Sequence, residues 1–213
     1  MDELFDAVGY IAICITLVSA FLYSIRFANN SKTYRIFTIY LLVISVIQLL
    51  TLYVGKGYLH RPNLFLSHFY FGLQFILLSL FYFELLRSKL IKVIIVPVML
   101  FLGYQFIADP ELFYRYNPLG ITITQAILVI YTMLYFYRSL AGKSIFVIVN
   151  IGVFFYLLSS TLIFASGNLV LNLNLSTSTK SIFVDINRVL ILLFQILIIV
   201  EWYRNYRHKS LQQ

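Results

Sequence analysis

A chain of 213 residues that is 61% hydrophobic and only 11% charged lies outside the range of soluble domains, where about a quarter of residues are charged. Its formal net charge of +8 is carried mostly by Lys and Arg set in short segments between apolar runs, which reads as a membrane topology signal and excludes a nucleic-acid stripe. The single cysteine, Cys14, rules out an internal disulfide and a cysteine-based metal cluster. It reads as a small apolar filler.

Seven apolar segments follow one another, at residues 7–25, 34–54, 64–86, 90–107, 119–137, 144–166 and 181–203. Segments of about 20 residues reach across roughly 30 Å of hydrocarbon as helices. The predicted fold is therefore all-α, a polytopic integral membrane bundle of seven transmembrane helices forming one domain over residues 1–213. The acidic start MDELFD is unlike a basic secretory signal, so the first segment is expected to stay in the mature protein. Between segments stand Asn29-Asn30-Ser31-Lys32, Gly55-Lys56-Gly57, Arg61-Pro62-Asn63, Asp109-Pro110 and Asn117-Pro118, all helix-breaking or turn-forming. Arg87-Ser88-Lys89 leaves room only for a tight helical hairpin. The long connection 167–180, GNLVLNLNLSTSTK, alternates with period two and predicts an extended strand or hairpin over one mouth of the bundle, with a polar loop as the alternative. Within it, Asn174-Leu175-Ser176 matches a glycosylation acceptor pattern that is common by chance.

Basic residues orient the bundle, because short basic loops are retained in the cytoplasm. With the N-terminus outside, eleven lie on the inner side: Arg26, Lys32, Arg35, Arg87, Lys89, Lys92, Arg138, Lys143, Arg204, Arg207 and Lys209. Four lie on the outer side, namely Lys56, Arg61, Arg115 and Lys180, with Arg188 inside the last helix. The expected topology is N-terminus out and C-terminus in. Trp202, Tyr203, Tyr206, Tyr135 and Tyr137 are expected as interfacial anchors. Glu84 and Glu201 are expected to pair with Arg87 and Arg204 at the headgroups.

Function is sought among polar residues at membrane depth, since each charge there costs roughly 2.5 to 3.5 kcal/mol unless paired or hydrated. The last segment carries Asp185, Asn187 and Arg188, with the two charges three residues apart on one helical face. His68, Gln74, Gln105 and Gln125 fall in the same outer half, and the inner half reads as poorer in polar groups. Converging polar groups in an apolar bundle build ligand pockets, so these seven residues are the ligand-binding candidates, with His68, Asp185 and Arg188 expected to share one outward-opening site. Ser, Thr, Asn and Gln also join transmembrane helices by hydrogen bonds worth about 0.6 to 2 kcal/mol, which is the plain alternative for the glutamines. Small residues Gly152, Ser159, Ser160, Thr161 and Ser166 mark a packing face on the sixth segment.

No catalytic residue is assigned and no cofactor or metal is expected. The three histidines, His60, His68 and His208, are too scattered for a metal hydrolase, no G-x-S-x-G or H-E-x-x-H pattern occurs, and the last segment lacks the lysine that retinal would need. NLFLSHFYFGLQFILLSLFYF and NIGVFFYLLSSTLIFASGN resemble the third and sixth helices of small seven-helix bacterial inner-membrane proteins without an assigned activity, associated with signalling partners. That resemblance implies a bacterial inner-membrane location and carries no functional residue across. The expectation is a receptor-like or sensory protein whose outer polar pocket passes a signal to a separate partner. Two alternatives stand beside it: an oligomeric membrane effector or pore subunit, and a lipid-modifying enzyme using His68 and Asp185. The expected partners are the bilayer, a small-molecule or lipid ligand, and a membrane signalling partner or a second copy of the chain, with nucleic acid excluded.

Overall fold

A computed structural model describes the backbone of residues 2–25, 27–55, 63–115, 117–142, 144–172 and 177–207, and the side chains of these except 2–4, 164–172, 177–181 and 183. Several features of the sequence lie outside the described residues: Arg26, Lys56, His60, Arg61, Lys143, His208, Lys209 and the Asn174-Leu175-Ser176 pattern, together with the side chains of Ser166 and Lys180. Among the described residues there are seven α-helices: α1 (Asp2–Ser24), α2 (Lys32–Gly55), α3 (Phe65–Leu86), α4 (Lys89–Ala108), α5 (Pro118–Ser139), α6 (Val147–Asn172) and α7 (Thr177–Asn205). A short 3-10 turn, Pro110–Tyr114, joins α4 to α5. No strand occurs among the described residues. Five helices, α1 to α5, are long and apolar enough to cross a membrane, and α6 contributes the shorter apolar stretch Val147–Ile163.

Six helices close a ring in which α1 packs on α2, α2 on α3, α3 on α5, α5 on α6, α6 on α7 and α7 on α1. The fourth helix stands outside this ring against α3 and the 3-10 turn. Only Ile91 of α4 is buried, and Leu90, Val93, Leu100 and Ile107 face outward. The end of the bundle where α1 begins is called proximal below, and the opposite end distal.

Local chemistry sets the helix ends. Asn117 caps α5 by accepting the Gly120 N–H at 2.9 Å, and Pro118 follows at the first helical position, where its missing N–H costs nothing. The α3–α4 hairpin turns on Arg87, whose φ of 48° is left-handed, with its N–H closing on Phe83 O. Such a backbone costs roughly 1 to 2 kcal/mol in a residue with a Cβ. The Arg138 guanidinium of α5 donates to the Leu86 carbonyl beside it, satisfying one of the open carbonyls that every helix C-terminus leaves.

The distal end is filled by rings. Tyr23, Tyr34, Phe37, Phe81 and Phe146 are fully buried, with Tyr34 and Tyr206 centroids 4.7 Å apart and Phe81 meeting Phe146 edge to face at 5.3 Å. Each such pair adds about 0.5 to 1.5 kcal/mol beyond its buried area.

Several expectations are corrected here. Residues 167–172 continue α6 and 177–180 open α7, so the alternating segment is helical in both described parts. Its alternation is outweighed by the helices it extends, which satisfy their own backbone groups at any depth. Tyr135 and Tyr206 are buried, whereas Tyr137 and Tyr203 are exposed. The buried pair hydrogen-bonds or stacks inside the bundle: the Tyr135 hydroxyl donates to Ile145 O at 2.5 Å. Glu84 pairs with Lys32 of α2 at 2.6 Å. Glu201 is fully buried and its carboxylate accepts the N–H groups of Ile148 and Val149. Both carboxylates thus reach neighbouring helices, Glu84 a lysine of α2 and Glu201 the backbone of α6. The distal half is also richer in polar groups than expected, through Glu201, buried tyrosines and the Tyr82 hydroxyl donating to Asn150 Oδ1 at 2.7 Å. Cys14 is exposed.

Candidate ligand cavity

A cavity of about 390 Å³ opens in the proximal half of the ring. It is within the range of small-molecule sites, about 300 to 1,000 Å³. Successive turns of α1 bring Asp6, Gly9 and Ile13 to its wall, while α2 supplies Gln48, Thr51 and Leu52. Asn63 precedes α3, which adds Ser67, Tyr70 and Phe71; Tyr156 of α6 and Asn187, Arg188 and Ile191 of α7 complete the wall. Apolar side chains make up much of the wall, and Asp6, Gln48, Thr51, Asn63, Asn187 and Arg188 are prominent among its polar groups.

Arg188 organises the charged part. Its guanidinium lies 2.9 Å from Asp6 of α1 and 3.1 Å from Asp185 of its own helix. The Arg188 and Asp185 side chains are 29% and 14% exposed and Asp6 is 43% exposed, so the triad is half-sunk rather than dry. A Cβ at Gly9 would stand 3.7 Å from Arg188 Nε, an ordinary van der Waals contact, so α1 passes directly beside the guanidinium. Asp6 was missed as a site residue because it precedes the first apolar segment and read only as an acidic flank.

The seven candidates separate into five places. Asn187 and Arg188 line the cavity, and Asp185 joins them through Arg188. His68 does not. It lines a second, small pocket with Phe106, Asn117 and Thr124, edge-on to Phe106 at 5.0 Å between centroids, with Nε2 buried and unpartnered among the described residues. The expected single site of His68, Asp185 and Arg188 is therefore corrected. Ser67 lines the cavity, and its neighbour His68, about 100° further round the helix, turns toward α4.

The glutamines join helices. Gln105 of α4 accepts from Asn117 Nδ2 at 3.0 Å. Gln125 of α5 donates to Ser160 Oγ and accepts from Thr161 Oγ1, both at 3.3 Å on α6. Gln74 donates to the Tyr40 hydroxyl at 3.4 Å across α2 and α3. Tyr70 and Tyr156 lie beside each other, with Tyr156 next to Ser160, so they connect the cavity wall to this interior network. Neither tyrosine was singled out from sequence, since tyrosine at membrane depth is common in so aromatic a chain.

Fold and cavity together define a helical bundle of membrane type with a polar-edged cavity at one end of a six-helix ring. Compared with protein-family models, with curated proteins and with solved structures, the chain matches none.

Proposed function

We propose that the chain is a seven-span protein of the bacterial inner membrane, its proximal end outside and its C-terminus in the cytoplasm, that acts as a receptor for a small ligand. The observation that supports this reading is the proximal cavity, walled by five helices drawn from both ends of the sequence. A ligand filling it touches α1, α2, α3, α6 and α7 at once. Its binding energy then favours whichever helix packing fits it, and a ligand shifts an equilibrium only through such differential contact. At the distal end Glu201 ties α7 to the start of α6, so a change in their packing reaches the cytoplasmic face, where a separate partner reads it. The described distal interior is packed with aromatic rings, which argues against a conducting path along the ring axis. His68 and Asp185, in different places, give little support to joint catalysis.

The reading is tested by native mass spectrometry of the protein released from nanodiscs of its host membrane. Wild type should retain a small molecule that Ile13→Trp, which projects an indole ring into the space the ligand would occupy, releases while keeping its helical circular dichroism. Identical retained masses in a folded variant would overturn the receptor reading.

A further inference from the structure

The hydroxyl donors of Thr51 and Ser67, the Asn63 amide and the Arg188 guanidinium on the cavity wall are committed already. Thr51 Oγ1 donates to Ile47 O at 2.9 Å and Ser67 Oγ to Leu64 O at 2.5 Å. Asn63 Nδ2 donates to Thr51 O at 3.1 Å. The Arg188 guanidinium is engaged by two carboxylates, Asp6 and Asp185, leaving an excess of one negative charge in that triad. Acceptors are in the opposite condition. Gln48 and Asn187 both line the cavity, and the side-chain amide oxygen of each is buried with no partner among the described residues. A buried acceptor without a donor costs about 1 to 3 kcal/mol, which a suitable ligand recovers.

We infer that the cavity takes an amphiphile whose head donates hydrogen bonds, an ammonium or a hydroxylated head, and that it discriminates against carboxylate and phosphate heads. The inference rests on the receptor reading and specifies its ligand. The apolar wall of Ala12, Ile13, Leu52, Leu66, Phe71 and Ile191 takes the body of the molecule, while Gln48 and Asn187 accept from its head. An anionic head meets the excess negative charge of Asp6 and Asp185, must break the Arg188 pairs to reach a cationic donor, and is left with only the neutral amide N–H groups of Gln48 and Asn187.

The experiment measures affinity for three probes sharing a ten-carbon tail, decylamine at neutral pH, decyl glucoside and decanoate, through the shift in thermal unfolding of the protein in nanodiscs. Decylamine or decyl glucoside should bind at least about tenfold more tightly than decanoate, and whichever is tighter identifies the head as ammonium or polyol. Gln48→Leu and Asn187→Leu should each weaken the preferred probe by about tenfold, the worth of about one hydrogen bond. Should Gln48→Leu fail to fold, Gln48→Glu, which keeps the acceptors and adds a negative charge, should hold or tighten decylamine. Decanoate binding as tightly as the donor-headed probes, or affinities that none of these variants moves, would overturn the ligand class and leave the receptor reading standing. No site-dependent binding of any probe, together with no retained molecule in the mass spectra, removes both.

Discussion

The carboxylate of Glu201 accepts the backbone N–H of Ile148 at 2.9 Å, so that a side chain of α7 caps the first turn of α6. The same oxygen also takes the Val149 N–H at 3.4 Å, and Asn205 Nδ2 donates to the other oxygen at 2.5 Å. A helix N-terminus carries unsatisfied N–H groups and a partial positive charge, and a carboxylate answers both.

Removing that cap should be costly. Glu201→Ala strands two N–H groups in a buried setting and should destabilise the protein by about 2 to 4 kcal/mol, whereas Glu201→Gln keeps an acceptor and should lose about 1 kcal/mol. Chemical unfolding in detergent measures both. A loss under about 0.5 kcal/mol for the alanine variant would mean that the cap is not holding α6 to α7.

Close approach of α6 and α7 depends on Gly152. A Cβ built there would stand 2.8 Å from Phe194 Cδ2 and 3.2 Å from Leu197 Cδ1, closer than packed carbons allow. Gly152→Ala should therefore destabilise by about 1 to 3 kcal/mol despite alanine's better helix propensity. Substitution at exposed Val200 of α7 serves as the neutral control in the same thermal-unfolding series.

Asn117 does two jobs with one amide. Its oxygen caps α5 at Gly120 and its nitrogen donates to Gln105 of α4. Asn117→Ala should cost about 1 to 2 kcal/mol, and Asn117→Asp, which keeps the cap and loses only the outer bond, about half of that. If both variants melt together with wild type, neither bond contributes to stability.

The Arg188 triad predicts an asymmetry between its members. Asp185→Asn leaves Asp6 on the guanidinium and should cost about 1 kcal/mol or less, since the group is part-exposed and screened. Arg188→Gln leaves two carboxylates facing each other and should cost more, about 2 kcal/mol, with part of the loss recovered in the double variant Arg188→Gln with Asp6→Asn. Equal losses from the two single variants would show that Asp6 is not a partner in the membrane.

Topology is checked by reporter fusions after residue 143 and after Gln213, both expected to report cytoplasm from the eleven basic residues assigned to that side. A periplasmic signal from either reverses the orientation on which the outward cavity depends.

Helix number, approximate helix limits and the tight turn at Arg87 were legible in the sequence, because hydropathy over about 20 residues and the helix-breaking separators are local properties. Position along each helix was legible too: Asn187 and Arg188 fall at the end of the ring where the cavity opens. Azimuth was not. Adjacent helical residues point about 100° apart, so whether Ser67 or His68 meets the cavity depends on which helices flank α3, and only the ring order with α4 outside decides that. The partners of Glu201 and Arg188 were hidden for the same reason: each charge had a nearby sequence neighbour, Arg204 or Asp185, but burial is set by packing, and packing brought the α6 backbone to Glu201 and Asp6 to Arg188.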